Sequence, residues 1–224
     1  MYSKIAQILN EYKSERLITE LAKTNRLILL DVDDTLLKPE GVFIYRKLPS
    51  DKEEVVLTPY EYGLEKVTPE TKQYYDYRDF IDPVKTQQSI EMGKPIVANL
   101  SVMDDYLKRG YQIGILTARA NEEEVFQALK NFLMYKDKRG ELIPVGDRLN
   151  RNLVFAINDS NRRQQLQSTT DYGKKAEVVT RLLNDFDEIV FVDDDMKNLK
   201  AMFELKSDLP DMLSNKLFFM LAKE

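Results

Sequence analysis

The sequence predicts an α/β protein: a doubly wound parallel sheet of the Rossmann-like kind, in three layers, with a small hairpin-and-helix insertion after its first strand. Three observations carry this. Four short runs, Leu27 to Leu30, Gln112 to Leu116, Leu153 to Ile157 and Ile189 to Val192, are nearly continuous in apolar residues, as strands buried on both faces are. Amphipathic stretches alternate with them. Each run is followed directly by a polar residue, at the carboxyl edge where such sheets bind ligands.

The elements follow in order. Ile5, Ile8, Leu9, Tyr12, Leu17 and Leu21 recur at helical spacing and predict an amphipathic opening helix. After the first strand, Val42 to Leu48 and Val55 to Tyr60 flank a polar, turn-prone segment and predict a β-hairpin. Gly63 to Lys94 is rich in Tyr, Asp and Pro and reads as irregular structure plus one short helix. Residues 38–94 thus form the insertion, a minimal cap. Pro95 to Arg109 reads as a helix with Gly110 as its C-cap. A further helix runs from Asn121 to Tyr135, with Asn121 as N-cap and Glu124 in the capping-box position. Helices over Lys174 to Phe186 and Met196 to Lys206 complete the alternation. Leu217 to Leu221 stays open between strand and helix. No repeat or linker divides the chain, so residues 1–224 are read as one domain.

Composition narrows the chemistry. The chain lacks Cys, which excludes disulfides, thiol nucleophiles and cysteine-zinc sites. It also lacks His, which excludes a Ser-His-Asp triad, imidazole bases and histidine-bound metals. Catalysis is left to carboxylates, Lys, Arg, Tyr or hydroxyls, with a hard, oxygen-liking metal. A net charge of −5 advertises neither nucleic acid nor anionic membrane as partner. No stretch approaches the roughly 20 apolar residues that span a bilayer. The first 26 residues lack the apolar core and cleavage site of a secretory signal. A cytoplasmic protein without a membrane partner is expected.

The strand ends carry Asp31-Val32-Asp33-Asp34-Thr35, then Thr117-Ala118-Arg119, then Asn158-Asp159, then Asp193-Asp194-Asp195. Carboxylates from distant parts of the chain therefore gather on one rim. Like charges so close raise one another's pKa values unless a cation neutralises them. Mg²⁺ suits such a rim, since it takes one or two carboxylates together with waters and phosphate oxygens. A single acid after a strand is often only a cap; the joint order of these motifs is what points to a site.

That order resembles the haloacid dehalogenase superfamily. LILLDVDDTLL resembles its motif I, IGILTAR its motif II, GKKAEVV its motif III and IVFVDDDMKNL the double-acid form of motif IV, together covering residues 26 to about 205. The resemblance implies a Mg²⁺-dependent phosphomonoester hydrolase rather than a dehalogenase, which usually lacks the second Asp. Asp31 would be the nucleophile and form an aspartyl-phosphate. Asp33 would protonate the leaving oxygen, deprotonate the hydrolytic water and lend its carbonyl to the metal, duties that call for a raised pKa. Thr117 and one lysine would bind the equatorial phosphoryl oxygens. Lys174 and Lys175 point about 100° apart on a helix; Lys175 is favoured because it directly precedes the apolar helix run. Asp194 would ligate the metal, positioned by Asp193 and Asn198. Asp195 has only the next helix N-terminus as a role, and Asp34 reads as solvated or capping.

A narrower expectation is a nucleotide or polynucleotide-end phosphate as substrate, as in enzymes resembling the phosphatase half of polynucleotide kinase-phosphatase. It draws on the small insertion, on Arg119 as a substrate-binding residue, and on segment 136–175, where nine Lys/Arg against five Asp/Glu give +4. The absence of an aromatic-basic platform and of a G-x-x-x-x-G-K-[ST] loop speaks against it. The alternatives are a small-metabolite phosphatase and a catalytically silent binding module of the same fold. A phosphorelay receiver is set aside, because there the acid pair comes at the first strand and the phosphoacceptor later.

Overall fold

The computed structural model describes residues 25–136, 141–144 and 146–223; the expected opening helix lies outside them. In chain order the strands are β1 (Arg26–Leu30), β2 (Leu37–Lys38), β3 (Ile44–Arg46), β4 (Val55–Leu57), β5 (Tyr75–Asp76), β6 (Lys94–Pro95), β7 (Gln112–Thr117), β8 (Met134–Lys136), β9 (Leu142–Pro144), β10 (Leu149–Ala156), β11 (Glu188–Asp193) and β12 (Leu217–Leu221). The longer helices are α1 (Pro83–Glu91), α2 (Val97–Lys108), α3 (Glu122–Phe132), α4 (Asp171–Leu182) and α5 (Met196–Asp208).

Five strands form one parallel sheet in the order β10-β7-β1-β11-β12. Its two faces are set by the two-residue period of β1. Ile28 and Leu30 pack with Leu100, Met103, Val125 and Leu129 of α2 and α3. Leu27 and Leu29 pack on the other side with Val178, Val179, Leu199 and Met202 of α4 and α5. These four of the five β1 side chains are fully buried, so truncating any one to Ala costs about 2–5 kcal/mol. Helices on both faces give the three layers. The segment from Leu217, open between strand and helix by its pattern, is the edge strand β12, with Leu217 opposite Ile189.

Registers align the strand ends. Leu30 lies between Val192 and Ile115, and the Asp31 amide continues the ladder by donating to Val192 O at 3.0 Å. The residues that follow β1, β7 and β11 therefore share one rim.

Two local expectations need correction. Asn121 stands at the N-cap position of α3, as expected, but it is left-handed, with φ 58°, and its side chain makes no cap bond. Its amide is drawn instead to Ile81 O at 2.9 Å and Thr86 Oγ1 at 3.2 Å, both in the insertion. The cap comes from Asp159, whose Oδ2 accepts from Glu122 N at 3.2 Å. The insertion is also larger than a hairpin and one helix. The hairpin is present as β3 and β4, but β5 adds a third strand in the order β4-β3-β5 around Ile44, Leu57 and Tyr75. Helical turns at Pro59–Gly63, Pro69–Lys72 and Arg78–Ile81 precede α1. Pairing of β2 with β6 brings the two ends of the insertion together. No helix among the described residues is long and apolar enough to cross a membrane.

Candidate active site

Asp31 leaves the central strand directly into the rim and is buried. Burial pushes its carboxyl well above the ordinary range; Lys175 pulls against this, while the charges of Asp193, Asp33 and Asp194 add to it. Lys175 Nζ stands 3.2 Å from Asp31 Oδ1 and donates to Asp193 Oδ2 at 2.8 Å. Burial works against the lysine's charge, but the two acids outweigh it and hold its pKa above the usual value. Asp31 Oδ1 is buried and accepts no hydrogen bond of good geometry among the described residues.

Asp193 is fully enclosed and fully used. Its Oδ1 accepts from Asp195 N and Asn198 Nδ2, each at 2.9 Å, and its Oδ2 from Lys175 at 2.8 Å and Asn198 Nδ2 at 3.0 Å. Asp194 is only partly buried. Burial, with Asp193 beside it, pushes Asp194 up to about 6 against the hydrogen bond from Thr35. Oxygens of Asp31, Asp193 and Asp194 lie within 4.8 Å of one another, close enough to share a cation. Asp195 is the N-cap of α5, accepting from Lys197 N at 2.8 Å. Asp34 is left-handed at φ 56° and pairs with Lys38 on the surface at 2.8 Å.

The two lysines are separated by their helix phase. Lys175 has Val178, Val179 and Leu182 at three, four and seven residues on, so it shares the buried face of α4. Lys174 turns aside, donating to Asn158 Oδ1 at 2.5 Å with Asp171 Oδ1 at 3.4 Å. The rim acids Asp31 and Asp193 are paired with Lys175 and not with Lys174.

Arg119, expected to bind substrate, makes its contacts here with Asp33 and α1. It is 1% exposed and grips both oxygens of Asp33, with Nε to Oδ2 at 2.8 Å and a terminal nitrogen to Oδ1 at 2.7 Å. Its other terminal nitrogen donates to Thr86 O at 3.1 Å and Ser89 Oγ at 2.7 Å, both in α1. The guanidinium therefore ties Asp33 to the insertion, and its bidentate fork fixes the carboxylate plane. Thr117 ends β7 fully buried, and its Oγ1 accepts from Arg119 N at 3.3 Å.

Sequence reading missed Thr35 as a site residue. Its Oγ1 donates to Asp194 Oδ1 at 3.0 Å and accepts from Asp194 N at 3.1 Å, joining motifs 159 residues apart. Its place as the last residue of Asp31-Val32-Asp33-Asp34-Thr35 was the available signal. No protein-family model matches the chain, and comparison with curated proteins gives no match.

Proposed function

We propose that the protein is a Mg²⁺-dependent phosphomonoester hydrolase of the haloacid dehalogenase type, working through an aspartyl-phosphate on Asp31. The observation that supports this best is the nucleophile's setting: a buried carboxylate at the end of the central strand, faced by a lysine that a second acid holds in place. The donors around it suit Mg²⁺. All are oxygens, Asp31 Oδ1 lacks a hydrogen bond, and Asp194 is partly open, whereas Asp193 has its acceptor positions occupied. Asp31, Asp194 and the Asp33 carbonyl would hold the ion. When bound, Mg²⁺ supplies positive charge that offsets both the crowded acids and the phosphate oxygens.

The chain's own residues then divide the work. Asp31 attacks phosphorus; the Asp31–phosphorus bond forms as the bond to the leaving oxygen breaks. Asp33, oriented by Arg119, gives that oxygen a proton. Water next attacks the phosphorus and returns its proton to Asp33, and the bond to Asp31 breaks, releasing phosphate. Lys175 and Thr117 face the equatorial oxygens, where negative charge must be held in the transition state.

The narrower polynucleotide reading gains less support. In segment 136–175, Arg151 and Arg162 are taken up by Glu122 and Glu123, Lys174 by Asn158, and Lys175 by Asp31 and Asp193. Among the residues whose side chains are described, Arg148 and Arg163 remain as exposed cations of that segment. The test is phosphate release from nucleotides, 3′- and 5′-phosphorylated oligonucleotides, sugar phosphates and phosphoproteins, with Mg²⁺ and with a chelator. Mg²⁺-dependent release from at least one class is expected. A polynucleotide substrate would add a steep loss of turnover with salt. No release from any class would remove the hydrolase reading.

A further inference from the structure

Asn99 lies in the first turn of α2, outside every motif that marks the site, and is 1% exposed. A buried amide has two N–H bonds and an acceptor oxygen to satisfy. Here Nδ2 donates to Thr35 O at 2.8 Å and to Lys223 O at 2.9 Å, while Oδ1 accepts from Lys223 N at 2.8 Å. The amide thus pairs with the Lys223 backbone as a neighbouring strand would, and spends its remaining N–H on the loop after β1. A flipped amide would set oxygen against two carbonyls and nitrogen against an N–H, so one orientation is dictated.

One end of this link reaches the Asp194 carboxylate and the other the backbone of Asp193. Thr35 carries the hydroxyl that binds Asp194 by donation and by acceptance. One residue before Lys223, Ala222 N donates to Asp193 O at 2.9 Å. The chain after β12 is therefore stitched to the end of β11 directly and to the loop after β1 through Asn99. Release of Asn99 would free the Thr35 carbonyl and, with it, the hydroxyl that fixes Asp194.

We propose that Asn99, clamped by the backbone of Lys223, is a positioning residue for the metal site and acts through Thr35 on Asp194. This rests on the Mg²⁺ reading above. Groups that orient metal ligands without touching the ion typically change affinity 10–100-fold, and an effect passed through one further residue belongs at the lower end.

The experiment is calorimetric titration of the full chain with Mg²⁺ alone, at pH about 7.5, with folding checked by circular dichroism. Asn99→Ala should bind Mg²⁺ about tenfold more weakly. Lys223→Pro, which deletes the N–H that Asn99 accepts, should weaken binding in the same direction, and the double variant should be no worse than Asn99→Ala. Met103→Ala, one turn along the same helix and fully buried, should lose stability yet keep its Mg²⁺ affinity within about twofold. Should Asn99→Ala fail to fold, Lys223→Pro decides. Wild-type affinity in the folded Asn99 and Lys223 variants would overturn the positioning role and leave the hydrolase reading standing. A wild-type protein that binds no Mg²⁺ would overturn both.

Discussion

Replacing Lys175 with Met keeps most of the side chain's volume and removes a charge on which two buried acids depend. Asp193 would lose a 2.8 Å hydrogen bond but keep Asn198 and the Asp195 amide; Asp31 would lose its 3.2 Å ion pair. Breaking a buried pair by deleting one partner costs about 3–5 kcal/mol, because the remaining charge stays desolvated. At about 2–4 °C per kcal/mol for a chain of this size, the melting temperature should fall by roughly 6–20 °C. Thermal melts followed by circular dichroism at neutral pH without Mg²⁺ measure this directly. The pH dependence supplies the sign. Lys175 is the group that lowers the Asp31 pKa, so its loss pushes an already raised carboxyl higher. An acid whose folded pKa lies above its unfolded value contributes stability that is present at low pH and lost as pH rises through the folded pKa. Lys175→Met should therefore recover stability on acidification from neutral pH towards about pH 5 more steeply than the wild type. A melting temperature within about 2 °C of the wild type at neutral pH would refute the view that this lysine neutralises the acid cluster.

Three further outcomes follow from the geometry. With the Asp194 carboxyl pushed up to about 6, its proton competes with the metal, so calorimetric Mg²⁺ affinity should fall about tenfold per pH unit below that value; a flat profile from pH 7 to pH 5 counts against Asp194 as a ligand. Arg119→Lys loses the bidentate grip on Asp33. It should lower kcat/KM at least about tenfold for an alkyl phosphate but much less for dinitrophenyl phosphate, whose leaving group needs no proton; equal losses on both would make Arg119 merely structural. Asp159→Ala removes the acceptor for Glu122 N and Asn161 N and should cost about 1–2 kcal/mol in urea denaturation, with the kcat of the surviving folded protein unchanged.

How much was legible follows from the range of each interaction. The acids at the strand ends could be placed because position along an apolar run is local information, and the sheet then gathers them without further detail. Lys175 was separable from Lys174 in principle, since Val178, Val179 and Leu182 fix the phase of α4. The links Thr35 to Asp194, Arg119 to Asp33 and Asn99 to Lys223 were not legible. They span 159, 86 and 124 residues, and only the assembled sheet with its helices brings such pairs together. Asn121 misled for the same reason: its local role as a cap was outcompeted by Ile81 and Thr86, which the insertion delivers. Within the insertion, strands of two or three residues are too short to show a period. Its helix starts at Thr58-Pro59 and Thr68-Pro69 form capping boxes, a local pattern that was not among the expectations.

The measurement that bears most directly on the account is detection of the covalent intermediate. Wild-type protein, Mg²⁺ and a turned-over phosphomonoester are quenched in acid and digested, and the peptides are weighed by mass spectrometry. One phosphoryl group should appear on the peptide containing Asp31, and Asp31→Asn, still folded by circular dichroism, should show neither that peptide nor phosphate release. A folded Asp31→Asn protein with undiminished turnover, or a phosphoryl group carried on another residue, would contradict the mechanism at its centre.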